Sequence, residues 1–297
     1  MSITADPLLP GTHTVSIRGV LQRYHVAGAG PLCLVHSGGP GLGWEYLRMP
    51  ELERHLTLVY VEPIGTGSSG RLAHPQDYRI DTYARFLHGL VEHLAAPSVF
   101  LLGHSHGGFV AQHYALNHPT GLAGLILFET SPLTGEEFWN RAIGNLEQFP
   151  RLHPGQPEAS GIPDAFRRTL AATDDEACTQ GVRDILPAYF ADYWANEDEL
   201  ASLRASLRAW IDPMRAAEPP FDVRDMLGGI TTPTLIISGA HDFICGPHWG
   251  QMLREGIPHS QFVLLRDSGH MGHIEQPDTF ASAITRFTRE AGQAATG

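Results

Sequence analysis

Gly103-His104-Ser105-His106-Gly107 sets a serine between two glycines in the spacing G-x-S-x-G. Val99 to Leu102 before it is a short apolar run suited to a buried strand, and Phe109 to Asn117 after it has helical spacing until Pro119 stops it. A serine on such a strand-to-helix turn is lifted out of the sheet edge, with small residues two positions away on each side so that neighbouring backbone can pass close. Ser105 is therefore a candidate nucleophile. A serine hydroxyl attacks only when a base takes its proton and an acid orients that base. His270 and Asp242 each follow an apolar run late in the chain, Gln261 to Leu265 and Thr234 to Ser238. They are the expected base and orienting acid, with Asp242 fixing the imidazole tautomer and stabilising the imidazolium. His273 is a rival base, set further into the loop, and Asp267 and Glu129 are rival acids near strand ends. The oxyanion of a tetrahedral intermediate needs two donors. The backbone N–H of His106 is one; the Gly-rich loop His36 to Gly41 offers Gly38, with Gly39 as the near alternative.

Two other patterns suggest different chemistry and lack its context. Gly65-Thr66-Gly67-Ser68-Ser69-Gly70 is a literal G-x-G-x-x-G, but a dinucleotide fingerprint needs a helix opening inside the motif. Here the polar, Pro-containing stretch Arg71 to Asp77 follows, so a turn is expected and no cofactor. His104 and His106 flank the serine like a metal pair, yet at i and i+2 across a sharp turn they point apart without a third ligand in metal spacing. No metal is expected. Cys33, Cys178 and Cys245 are odd in number and widely spaced, as buried structural cysteines would be.

Positioning these residues takes a sheet. The hairpin around Arg18-Gly19-Val20, the runs Leu32 to Val35, Leu56 to Val61, Val99 to Leu102 and Leu122 to Phe128, and the two late runs read as strands. Helical stretches alternate with them: Trp44 to Arg54, a helix N-capped by Asp81, Phe109 to Asn117, Trp249 to Glu255 and Asp278 to Glu290. Buried strands alternating with helices imply a mostly parallel central sheet covered by helices on both faces. The alternation stops at Pro132. Until about Met226 only helices are expected, over Gly135 to Gln148, Asp164 to Ala172, Cys178 to Tyr193 and Glu197 to Ile211. The expected organisation is a core of residues 1–131 and 227–297 carrying a helical cap insertion at 132–226. Trp139 and Trp194 in that insertion, and Phe243 beside Asp242, are candidates for the walls of a substrate pocket.

The chain has 297 residues, enough for one large core plus an insertion. Its formal charge of −12 argues against nucleic acid or an anionic membrane as partner. All 20 basic residues are Arg, which removes Schiff-base and P-loop lysine chemistry. The N-terminus lacks a basic start and apolar run, and no apolar stretch approaches membrane-spanning length, so a cytoplasmic enzyme is expected.

With these residues in place the chain resembles the α/β-hydrolase superfamily over nearly its whole length, and most of all the proline iminopeptidase family. His36-Ser37-Gly38-Gly39-Pro40-Gly41, Gly65 to Ser69, Gly103 to Gly108, Gly239 to Asp242 and Ser268-Gly269-His270 carry the resemblance. It implies the α/β-hydrolase fold and a Ser, Asp, His triad in that chain order. It also implies a cofactor-free serine hydrolase that cleaves an amide or ester through an acyl-enzyme, acting on a small molecule or short peptide. Ser37 and Glu62 depart from the family's Gly and Asp, and the insertion lacks its Trp-x-x-Trp-Glu stretch for a substrate amine. A carboxylesterase or lactonase for a small hydrophobic substrate is therefore an alternative. A receptor, or a lyase or cyclase that uses the same serine edge without water attack, is another.

Overall fold

The computed structural model describes residues 6–211 and 220–294. Residues 1–5, part of the N-terminus read above as lacking a leader, and 212–219, inside the expected cap, lie outside the described residues.

The chain opens with β1 (Gly11–Ile17) and β2 (Val20–Gly28), an antiparallel hairpin. Arg18 and Gly19 at its tip both have positive φ, 52° and 82°, as a two-residue turn matched to strand twist demands. β3 (Leu32–His36) is buried along its whole length. The expected helix over Trp44 to Arg54 is instead a 3₁₀ turn at Glu45–Leu47 and one α turn, α1 (Pro50–Glu53), because the chain is extended at Arg48 and restarts at Pro50. β4 (Thr57–Glu62) follows, then α2 (Ile80–Leu94), which Arg79 precedes in extended geometry. Asp81 thus lies inside the first turn, where it pairs with Arg79 and Arg85 and suits the positive helix end. β5 (Val99–His104), α3 (His106–Asn117) and β6 (Leu122–Phe128) complete the first half.

Between β6 and β7 (Thr234–Gly239) the described residues form helices and loops: α4 (Glu136–Leu152), α5 (Ile162–Leu170), α6 (Asp175–Ile185) and α7 (Glu197–Ser206). α6 stops eight residues short of the expected end, since Pro187 has no N–H to continue it and a 3₁₀ turn at Leu186–Tyr189 takes over. α8 (Pro247–Gly256), β8 (Gln261–Leu265), α9 (Gly272–Glu275) and α10 (Pro277–Ala294) close the fold.

The eight strands form one sheet in the order β1-β2-β4-β3-β5-β6-β7-β8, parallel from β4 to β8, with β2 antiparallel to both neighbours. Alternate residues of the central strands feed opposite cores. Leu34 and Val59 pack with Leu87, Val110 and Leu253 on one face, while Cys33, Val35 and Leu58 pack with Leu52, Phe280 and Phe287 on the other. Each fully buried Leu or Val contributes ~1.5–3 kcal/mol of transfer free energy. The chain order reverses between β3 and β5, which makes a crevice beyond their carboxyl ends where ligands gather in such sheets. No helix among the described residues is long and apolar enough to cross a membrane.

Candidate active site

Ser105 sits at that crevice on the first residue after β5, with φ 53° and ψ −118°. A non-glycine residue there stores ~1–3 kcal/mol of strain and persists only where its surroundings over-determine it. They do so here. The Ser105 N–H donates to the Phe128 carbonyl at 3.0 Å, its own carbonyl accepts from Gly108 N–H at 2.9 Å, and the Thr130 hydroxyl donates to the same carbonyl at 2.8 Å. A Cβ on Gly103 would run into the Gly107 carbonyl, and one on Gly107 into the His36 carbonyl, so both glycines are set by close approach.

His270 Nδ1–H donates to Asp242 Oδ2 at 2.7 Å, with the two side chains 4% and 0% exposed. The other oxygen, Oδ1, accepts the N–H groups of Ile244 and Cys245 at 2.9 and 3.0 Å. Burial works against a charged Asp242, but His270 and the hydrogen bonds outweigh it and hold the carboxyl below its usual range. The His270 N–H donates to the Tyr189 carbonyl at 2.7 Å, anchoring His270 to the segment after α6. Of the rival residues, His273 Nε2–H donates to the Tyr46 carbonyl at 2.8 Å, and the Asp267 N–H is held by Gln276 at 3.1 Å. Glu129 is fully buried next to Asp242.

His104 and His106 go to separate neighbourhoods. Burial, followed by the nearby His270 and His273, holds His104 well below the usual imidazole range. It is neutral, and its partners assign the tautomer. Gly38 N–H donates to the Tyr46 hydroxyl at 2.8 Å, that hydroxyl donates to His104 Nδ1 at 2.7 Å, and His104 Nε2–H donates to the His270 carbonyl at 3.1 Å. This buried chain ties the Gly-rich loop to His270. Sequence reasoning missed it, because Tyr46 lies in a stretch whose spacing reads as a helix but which folds as a 3₁₀ turn and one α turn, and nothing local marks its partners. His106 points the other way, edge-on to Tyr83 at 5.3 Å, with burial, then His36, pushing it down to about 3. Its backbone N–H is in the first turn of α3, where no intrahelical acceptor exists.

The three cysteines are buried, and Cys245 has a further setting. Its sulfur, an Asp242 oxygen and a His270 nitrogen lie within 4.8 Å of one another. Those donor types suit a cation, yet His270 Nδ1 and Asp242 Oδ2 already bind each other, and Oδ1 accepts two N–H groups. Burial pushes the thiol well above its ordinary value.

Ser105, His270, Gly38, Gly39 and Tyr46 line one cavity of about 150 Å³. Its other walls include Trp139, Phe166, Leu170, Val182, Ile185 and Leu207 from α4 to α6 and the start of the loop after α7, and no carboxylate among the described lining residues. Trp194 stands outside it, packed on Phe149 and His153 with ring centroids 5.9 and 5.1 Å away. Phe243 lies behind the wall, against Tyr189 at 5.2 Å and Phe166 at 5.9 Å. The G-x-G-x-x-G stretch forms a turn away from this cavity. There Glu62 accepts the N–H groups of Ser68 and Ser69 and the ring nitrogen of His25, and the Gly65 N–H donates to the Gly70 carbonyl at 3.0 Å.

A strand-to-helix turn carrying a strained serine at the switch point of this sheet defines an α/β-hydrolase architecture. The model of the alpha/beta hydrolase fold family matches residues 30–277, and the chain belongs to that family. It is a hydrolase by class. A proline iminopeptidase of Lactobacillus crispatus (strain ST1) is 26% identical over 273 residues, covering 86% of this chain and 89% of the relative. A 2-hydroxymuconate semialdehyde hydrolase of Pseudomonas sp. (strain CF600) is 28% identical over 283 residues, covering 93% of each. A thermophilic esterase from Thermogutta terrifontis shares the fold with a TM-score of 0.70 at 24% identity, over 94% of this chain and 98% of that one.

Proposed function

We propose that the protein is a serine hydrolase of small, uncharged carboxylic esters or lactones, acting through an acyl-enzyme. The observation that carries this reading is the cavity: Ser105 and His270 open into a small apolar space whose described lining holds no Asp or Glu. A peptidase that recognises a free α-amine needs an anionic partner for it, since a buried ammonium without one is costly. An apolar acyl group needs only burial. In this mechanism His270, oriented by Asp242, takes the Ser105 proton as the hydroxyl adds to the carbonyl, then gives it to the leaving alcohol. Water repeats the cycle on the acyl-enzyme. The His106 N–H receives the oxyanion together with the Gly38 N–H, whose resting acceptor, the Tyr46 hydroxyl, gives way to the substrate oxygen. Gly39 lines the same cavity and is the alternative donor.

The test is a panel of short acyl p-nitrophenyl esters, a lactone, and Pro-arylamide with its N-acetylated form. Ester turnover with little amide cleavage, lost by several orders of magnitude in Ser105→Ala with KM largely kept, is the expected result. Turnover of Pro-arylamide that N-acetylation abolishes would instead make the protein an iminopeptidase. An intact Ser105→Ala rate would remove the serine from the mechanism.

A further inference from the structure

Glu129 is a second carboxyl at the acid end of the triad, and the mechanism above does not use it. It follows β6 directly, with φ 45°, held there by its N–H donating to the Ile237 carbonyl at 3.0 Å. The residue is 0% exposed. Two glycines make its niche: a Cβ on Gly239 would stand 2.9 Å from Glu129 Oε1, and one on Gly272 3.6 Å. Neither carboxyl oxygen meets an N–H or O–H donor in hydrogen-bond geometry. The Gly239 N–H lies on the side that favours charge but falls short of such geometry. The groups facing the niche are Asp242 from the loop after β7, Glu275 from α9, and the Cys245 thiol, with His270 on the far side of Asp242. None of them supplies a positive charge to Glu129 directly.

Two adjacent buried carboxyls cannot both ionise at ordinary cost. Asp242 has an imidazole and two backbone N–H groups on its oxygens, whereas Glu129 has none, so the negative charge belongs on Asp242. We propose that Glu129 is the proton-bearing member of a carboxyl pair with Asp242 and donates a hydrogen bond to it, as a positioning residue that holds Asp242 and draws part of its charge away from His270. A contact between two carboxylates would be repulsive; with one proton between them it is a charge-assisted hydrogen bond. The direction agrees with the surroundings. Burial, then the Asp242 charge, pushes Glu129 well above the usual carboxyl range, while Asp242 is held below it.

The consequence for catalysis rests on Asp242 and His270 acting as proposed. Removing the donated hydrogen bond leaves more negative charge on Asp242 facing the base, so the base holds its proton to higher pH. Glu129→Gln keeps a neutral donor in place and should leave the acid limb of the kcat/KM profile where it is. Glu129→Leu or Glu129→Met should move that limb to higher pH by about one unit, which costs about tenfold in rate below it and little on the plateau. A merely structural role would lower the plateau without moving the limb.

An infrared spectrum in D2O locates the proton without relying on activity. At pH 8.5, above the titration of Glu275, which burial raises to about 7, the wild type should keep a protonated-carboxyl carbonyl band. Glu129→Gln should abolish it and Glu275→Gln should leave it. No such band in the wild type, or a band that survives in Glu129→Gln, would overturn the proposal, as would an acid limb shifted equally by Gln and Leu. The infrared comparison stands even where the Leu or Met variant fails to fold. It also stands if the wild type hydrolyses no ester and resists a fluorophosphonate, a result that would remove the serine-hydrolase reading and leave the proton assignment decided.

Discussion

Tyr46 shows how much a single side chain can couple. Its hydroxyl accepts from Gly38 N–H and donates to His104 Nδ1, and His104 passes its other N–H to the His270 carbonyl. All of these groups are buried, so each lost partner leaves a polar atom without water to replace it. Tyr46→Phe should therefore lower the unfolding free energy by about 1–3 kcal/mol, read from urea denaturation. A variant as stable as the wild type would show that the chain of hydrogen bonds does not exist in solution. Ser105 and His270 could be named as candidates from residue type and strand-end position. Tyr46 and Cys245 could not, and Glu129 could be named only as a rival acid, because their meaning comes from what lies opposite them in space.

At the scale of elements, the turn from β5 into α3 is the part most tightly specified. The serine's positive φ is tolerated because two glycines let Gly107 slide under the His36 carbonyl and over Gly103. Gly103→Ala places a methyl against the Gly107 carbonyl and, at 2.8 Å, the Ala111 side chain. Overpacking of this kind costs about 1–3 kcal/mol, and here the relief available is to shift α3 and with it Ser105. Both the melting temperature and the kcat of Gly103→Ala should fall. Full activity at reduced stability would mean the strain relaxes away from Ser105. Strand and helix order was readable from alternation, because buried strands are apolar runs and helices repeat every three to four residues. Helix ends were less so: Arg48 is extended and Pro187 lacks an N–H, and both broke stretches whose apolar spacing continued.

Across the whole molecule, the helices between β6 and β7 are fastened to the sheet edge next to His270. Glu275 accepts the Ala191 N–H with one oxygen and the Gly269 N–H with the other, each at 2.7 Å, so one carboxyl joins the segment after α6 to the loop that carries His270. Burial is the larger influence on it and raises its pKa to about 7 despite the two N–H donors. A carboxyl raised on folding contributes stability that is complete below its unfolded value and is lost as pH rises through the folded one. The unfolding free energy should accordingly fall between about pH 4.5 and 7, a slope that Glu275→Gln flattens in denaturant titrations at several pH values. Equal slopes in the two proteins would exclude Glu275 as the titrating group.

The sequence by itself determined the alternating architecture, the turn that carries Ser105, and the order in which Ser105, Asp242 and His270 arrive at one sheet edge. Those features are local, each written in a run of neighbouring residues. Tertiary structure decided that His270 pairs with Asp242 while Glu129 stands behind it, that the Gly38 N–H rests on Tyr46, and that Trp139 lines the cavity while Trp194 does not. These depend on separations of many residues closed to a few ångströms, and on burial, which sets where charge can sit.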